Sequence, residues 1–284
     1  MTDSPVIQWL LGDDNPAVKY RTQTELLGEK ADKLPVIAWV NDYLPDDWTE
    51  RVGLWSTYYL TTIAECGLTY EDIRFDKEKA ICFGTANRFE HSCGDYMRLR
   101  ALVRMGLYDD AANIVHESVE KQLPDGGFLC LHRLDKLKRI PKSCVKANLQ
   151  ALMFCAECRK KDIKTDIEEL LLNYFWNHNL FYRTADPNAL IVTAREGWRA
   201  IDTFYPFEVM RVGMQNIVES FCALGYGSDP RLNEAWNILN SKKTPEGQYI
   251  LNGTLTKSYL PKERVGKASK WVTFYTMLAE KEKK

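Results

Sequence analysis

The chain has no excess of either charge. Its 38 Lys and Arg against 39 Asp and Glu leave a formal net charge of −1, and no basic cluster dominates any segment. A nucleic-acid partner is therefore not expected. Long apolar runs are also missing. None approaches the roughly 18 residues that a membrane-crossing helix needs, so no transmembrane segment is expected. The opening residues Met1-Thr2-Asp3-Ser4-Pro5 show no basic stretch leading into an apolar one, the pattern of a secretory signal. Eight cysteines among 284 residues fit a reducing compartment, where thiols are mostly buried, better than the disulfide framework of a short secreted chain. The expected location is the cytoplasm.

What is present is a recurring helix-end signature. It reads Ala64-Glu65-Cys66-Gly67-Leu68, Val103-Arg104-Met105-Gly106-Leu107, Phe154-Cys155-Ala156-Glu157-Cys158 and Phe221-Cys222-Ala223-Leu224-Gly225-Tyr226. The last two share Phe-Cys-Ala. Each copy closes an apolar helical run and precedes a second, more polar one. Self-similarity at this spacing marks a repeat architecture whose units bury their apolar faces against their neighbours.

The first helix predicted is Pro16–Leu27, with Asn15 at its N-cap, Pro16 at its first position and Gly28 just past its end. Regular pairing begins at Leu54. The expected pairs are Leu54–Cys66 with Asp72–Phe83, Cys93–Met105 with Asp109–Leu123, Cys144–Cys158 with Thr165–Trp176, and Phe207–Leu224 with Pro230–Leu239, followed by an unpaired Ala268–Ala279. Acidic residues fall where second helices begin (Glu71-Asp72, Asp109-Asp110, Asp229-Pro230), and caps account for them better than catalysis does. The signatures sit at 67, 106, 158 and 225, and two insertions, Pro124–Lys142 and His178–Tyr205, account for the widening intervals. Both lead into the next inner helix, so both crowd one end of the array, the end at which a site is expected.

Gln122-Leu123-Pro124-Asp125-Gly126-Gly127-Phe128 and its weaker copy Lys243-Thr244-Pro245-Glu246-Gly247-Gln248-Tyr249 resemble the Gln-x-x-x-Gly-x-aromatic turns of the squalene–hopene cyclase and protein prenyltransferase superfamily. The end of the chain, from Asp229-Pro230-Arg231-Leu232 to Ser269-Lys270-Trp271-Val272-Thr273, resembles that of small bacterial prenyltransferase-like proteins. The resemblance implies an all-α fold of the α/α-toroid type, with inner helices ringing a central cavity. It implies a single domain over residues 1–284, with residues 1–50 as capping or outer helices and 54–279 as helical-hairpin repeats. Neither of the superfamily's chemistries carries over. The Asp-x-Asp-Asp acid of the cyclases is absent, and the prenyltransferase zinc position two residues before Cys144 is Lys142, with no His near Phe207.

Within a toroid, His91 and Cys93 at the start of one inner helix, Cys130 and His132 in the first insertion, and Cys144 at the start of the next inner helix would gather at one mouth. Thiolate and imidazole in such a set suit zinc, so Cys93, Cys130, His132 and Cys144 are candidate metal ligands. Cys155-x-x-Cys158 has redox spacing but no strand before it, and it reads as an ordinary helix end. Tyr96, Lys146, Tyr205, Glu208, Arg211, Lys270 and Trp271, together with Arg98 and Asn148, occupy first turns or inner faces. They are candidate contacts for a small amphipathic molecule, such as an isoprenoid with a polar head, in an aromatic-lined cavity. Carboxylates on inner helices (Asp95, Glu208, Glu219) keep a second class open: a carbohydrate-active helical barrel working through paired carboxyl groups. A non-catalytic scaffold, open and without a deep pocket, is the third.

Overall fold

The computed structural model describes residues 4–50, 54–77, 91–107, 122–128, 143–183, 186–190, 213–253 and 260–283. Two short helices open the chain. The first, α1, is Pro5–Leu10, and the second, α2, is Pro16–Arg21. The Asn15 side chain accepts the Val18 N–H at 3.0 Å, as its N-cap position predicts. The helix widens into a π-turn over Thr22–Leu26, and the chain leaves it through Gly28 at φ +72°. A further helix, α3, spans Leu34–Asn41, with Pro35 in its first turn.

Helices α4 (Leu54–Glu65), α5 (Cys93–Arg104) and α6 (Val145–Arg159) are the next inner helices, and α6 is followed by the outer helix α7 (Glu168–Asn177). A short antiparallel pair, β1 (Tyr182–Arg183) with β2 (Asp186–Leu190), lies in the second insertion. The inner helix α8 (Met214–Ala223), the outer helix α9 (Asn233–Asn240) and the last inner helix α10 (Lys270–Glu282) complete the order. The class is all-α. The five inner helices pack in chain order, α4 on α5, α5 on α6, α6 on α8 and α8 on α10. A hydrogen bond from the Tyr275 hydroxyl to the Glu65 carboxylate joins the last of them to the first. The second half of the outer partner expected for α4 and nearly all of that expected for α5 fall at 78–90 and 108–121, outside the described residues.

Two starts differ from expectation. Asp72 begins no helix: its Oδ2 accepts from the Thr69 N–H and hydroxyl at 2.7 and 2.8 Å and from Lys33 at 2.9 Å, which ties a turn, and helical geometry is first met at Lys77. Nor does a helix run from Phe207 to Leu224. Gly213 is extended (φ −126°, ψ 173°) and its N–H donates to Asn216 Oδ1 at 3.0 Å, so α8 starts at Met214.

The repeat holds at the level of individual hydrogen bonds but not in the register that the signature suggests. Four inner helices end in the same Schellman motif. Leu68, Leu107, Ile163 and Tyr226 donate to the carbonyls of Ile63, Leu102, Cys158 and Phe221, and the preceding Gly67, Gly106, Asp162 and Gly225 donate to Ala64, Val103, Arg159 and Cys222. The left-handed residue is therefore 67, 106, 162 and 225, with Asp162 (φ +60°) standing where the others have glycine. Cys158 is one turn short of the end, because α6 runs longer and the shared Phe-Cys-Ala is not structurally equivalent.

The two Gly turns also repeat. Gln122 bridges Phe128 and Lys243 bridges Tyr249, with Gly126 and Gly247 left-handed. The aromatic N–H donates to a side chain of the next inner helix, Phe128 to Asn148 Oδ1 and Tyr249 to Thr273 Oγ1, both at 2.9 Å. Its carbonyl accepts from that helix's N-cap, Cys144 at 3.0 Å and Ser269 at 2.9 Å. Each turn thus anchors the start of the next inner helix, and the second does so just after the outer helix α9. Gly127 fits there because a Cβ would lie 2.5 Å from Ser143 Cβ.

The core divides into two apolar parts that meet along α5, where Leu99 and Val103 belong to one and Leu102 and Met105 to the other. Gly225→Ala isolates the cost of the left-handed helix end, since nothing lies within 4 Å of the added Cβ. It is expected to lower stability by about 1–2 kcal/mol in urea unfolding with an unchanged m-value, and Asp162→Gly to raise it by less.

Candidate functional site

The Schellman register shows which side chains face the axis. Two residues before the left-handed position stand Glu65, Arg104 and Lys160, and one turn earlier stand Arg100, Ala156 and Glu219. All six line one pit, together with Met153, Glu157, Asn216, Ser220 and Tyr275. Every inner helix contributes to this wall. The free space within is narrow, with room for about one water molecule. Lys160 and Glu282 stand at its rim, 23% and 27% exposed.

Glu65 is the hub. Its carboxylate accepts from Arg100 Nη2, from Arg104 Nη1 at 2.7 Å and from the Tyr275 hydroxyl. Arg21, from α2, is wholly buried beneath it. Its Nη1 donates to the Glu65 carbonyl at 2.9 Å and to the Tyr275 hydroxyl at 2.8 Å, and its guanidinium lies 4.6 Å from the Phe274 ring centre. The far edge of Arg21 grips Glu25 through two bonds of 2.5 and 2.8 Å. Burial alone would raise the Glu25 carboxyl, but the charge and hydrogen bonds of Arg21 overcome it and bring it down to about 2.

The other two carboxyl groups of the pit diverge. Burial raises Glu157, but Arg104, at 3.7 Å, with Lys160 and Arg100 bring it below the usual range. Burial holds Glu219 above that range, because Lys160 at 3.7 Å only partly offsets it. Glu219 Oε2 accepts from Gln215 Nε2 at 2.7 Å. A carboxyl raised and a carboxyl lowered around one cavity form the kind of pairing that general acid–base chemistry uses.

Apart from Glu219, the described residues singled out in the sequence sit elsewhere, near the starts of the inner helices. Tyr96 is fully buried, with its hydroxyl 3.1 Å from His91 Nδ1, and His91 stacks on Phe128 at 6.4 Å. Lys270 Nζ is held by the Gly12 carbonyl at 3.1 Å and the Asp14 carboxylate, clamping the N-terminal segment to α10. Trp271 stacks on Tyr275 at 6.1 Å. Arg98 donates to Thr57 Oγ1 at 2.8 and 3.0 Å, Asn148 receives the Phe128 turn, and Asp95 completes the capping box with Ser92. Lys146 is half-buried on the first turn of α6. Tyr205, Glu208 and Arg211 lie outside the described residues, as do Cys130 and His132. Cys93 and Cys144 pack in one small cluster with Met97, Ala147 and Tyr58, and burial raises the Cys93 thiol to about 11. Among the described residues no three His, Cys, Asp or Glu side chains gather in a metal-binding arrangement. Cys155 and Cys158 are buried thiols raised by that burial, and Cys155 Sγ accepts from Thr165 at 3.0 Å, as an ordinary helix end requires.

Sequence reasoning named Glu219 but missed Glu65, Arg100, Arg104, Glu157, Lys160 and Arg21. The signal was present: single charges inside apolar runs, repeated at the same distance from each helix end.

No family model and no curated protein sequence matches the chain. Among solved structures, a polysaccharide lyase is similar over 80% of this chain and 72% of its own, with a TM-score of 0.44 and 13% identity. No described helix is long and apolar enough to cross a membrane.

Removing one partner of a buried ion pair typically costs about 3–5 kcal/mol, because the remaining charge is stranded. Glu65→Gln is expected to fall in that range in denaturant unfolding, whereas Glu71→Gln, in an exposed pair with Arg74, stays within about 1 kcal/mol. The lowered Glu25 carboxyl stabilises the fold above its unfolded value near 4.5, and that contribution is lost as pH falls toward 2. Glu25→Gln is therefore expected to flatten the loss of thermal stability across that window.

Proposed function

We propose that this protein is a ring-shaped helical enzyme acting on a polar, carbohydrate-type substrate at the axial pit, with Glu219 as proton donor and Glu157 as base. The observation that carries the reading is that three carboxyl groups and three cations from different inner helices face one cavity. The pit admits one group of a substrate, a hydroxyl or a scissile oxygen, while the remainder lies across the rim at Lys160 and Glu282. Residues 1–284 are read as one domain, since Arg21 and Lys270 tie the N-terminal segment to the ring and α5 joins both halves of the core.

The other readings draw less support. An isoprenoid tail in the pit would meet Met153 and Ala156 amid charged groups and would strip those groups of their solvent and partners. Tyr96 and Trp271, which would line an aromatic cavity, are engaged in packing. An open scaffold would have no reason to join α10 back to α4 through Tyr275 and Glu65.

The test is turnover and thermal stabilisation with a panel of oligosaccharides and chromogenic glycosides. Glu219→Gln and Glu157→Gln should each lower kcat by about 10²-fold or more on any substrate found, with KM little changed. Activity should fall at high pH as Glu219 loses its proton and at low pH as Glu157 gains one. If no carbohydrate stabilises the protein or is turned over, and an apolar molecule leaves the cell with it, the isoprenoid reading takes its place.

A further inference from the structure

Arg100 is the least satisfied cation of the pit. It is 5% exposed, its Nη2 donates to Glu65, its Nη1 reaches only Met153 Sδ at 3.5 Å, and no described residue accepts from its Nε. A guanidinium carries five donors and a thioether is a weak acceptor, so a buried Arg served this way holds donors in reserve. Lys160 is in a similar position. Its Nζ is 3.7 Å from Glu219 and 3.6 Å from Glu282, beyond hydrogen-bonding distance of either. On the acidic side Glu65 already receives Arg100, Arg104 and Tyr275, while Glu282 Oε2 at the rim has no described partner.

We propose that the pit binds the carboxylate of a small organic acid, with one oxygen on Arg100 Nε and the other toward Lys160 Nζ. The proposal rests on the axial-pit reading and names the chemical group that the pit recognises. The free space takes about one water-sized group, so one carboxylate oxygen enters it while the rest of the acid lies at the rim beside Lys160. A bulkier dianion would not enter. Fixed charge favours the same ligand. Glu219 faces Lys160 from α6, Glu65 from α4, Arg100 and Arg104 from α5 and Gln215 on its own helix, with Glu282 of α10 sharing Lys160, and burial raises its carboxyl above the usual range. When Glu219 is neutral, the lining carries three cations and two carboxylates, with Glu282 at the rim. An anion bound beside Glu219 favours its protonated form further, so binding takes up a proton and weakens as pH rises.

The experiment is a thermal-shift titration of the full chain with sodium formate, acetate and gluconate against sodium chloride at matched ionic strength, at pH 6 and pH 8. Formate should raise Tm saturably beyond chloride, with at least tenfold tighter apparent binding at pH 6. Gluconate binding more tightly than acetate would identify the acid end of a polyhydroxy compound as the natural source, and the reverse order a free small acid. Arg100→Lys keeps the charge and loses Nε, and should abolish the effect. Should that variant not fold, Lys160→Gln at the rim should weaken formate at least tenfold. Glu219→Gln should keep formate binding and remove its pH dependence. A formate response equal to that of chloride, or one unchanged in both Arg100→Lys and Lys160→Gln, overturns the proposal. Formate binding without any carbohydrate turnover would uphold the anion site and sink the hydrolytic reading. Turnover without formate binding would do the opposite.

Discussion

One carboxylate joins the last inner helix to the first. Glu65 ends α4, and without acceptors there the guanidinium groups of Arg100 and Arg104 would lie buried against Met153 and the Glu157 carboxylate, with only 3.7 Å contact to the latter. The desolvation cost of such groups is several kcal/mol per ion, and only direct, hydrogen-bonded pairing offsets it. The same carboxylate receives Tyr275, the step that brings α10 back to α4, and Tyr275 in turn accepts from Arg21. The link from α10 to α4, the docking of α2 beneath it and the burial of three arginines are therefore coupled through one carboxylate.

The helix dipoles sharpen this arrangement. Arg104 and Lys160 sit at the C-terminal ends of their helices, where the dipole favours a cation by about 0.3–1 kcal/mol. Glu65 sits at the corresponding end of α4, where the dipole disfavours it by a similar amount. The direct pairs to Glu65 outweigh the dipole, and the surrounding cations are drawn to it. A repeat that placed the same sign on every helix end would have built a repelling axis. Here the first unit carries a carboxylate where the next two carry cations, and that departure from identity between repeats lets the charges pair.

Much of the architecture was legible in the sequence, because its causes are local. Apolar runs of helical length, Asn15 before Pro16 and glycines at 67, 106 and 225 mark boundaries, and the caps and turns carry hydrogen bonds that the structure contains. The Gly turns were legible for the same reason. Two helix starts were not. Asp72 has the composition of a cap but ties a turn to Lys33, a long-range partner that no local pattern reveals. The extended Gly213 is fixed by Asn216 three residues on. The register of α6 was missed because Asp162 performs the glycine's role with a side chain, and a matching tripeptide one turn away drew the alignment to itself. That slip hid the axial site. Once 162 replaces 158, Lys160 falls level with Arg104 and Glu65, and the charged rungs align.

Aromatic abundance suggested a lined cavity, and the structure places those rings in its walls. Tyr96 is held by His91 and packs toward Phe154, Trp271 lies on Tyr275, and Trp176 covers Phe221 at 4.4 Å. Large flat side chains fill the wedge-shaped gaps between helices set around an axis, and once there they cannot also face a ligand. The axis is then left to residues that no wall requires. In a ring of five helices those positions are few, two rungs per helix, and charges placed on them meet across a space hardly wider than a water molecule. Such charges either neutralise one another completely or leave a surplus that a ligand can use. Glu65 is saturated, while Arg100 and Lys160 are not. That imbalance, set on an otherwise paired axis, separates a binding pit from a purely structural ionic plug.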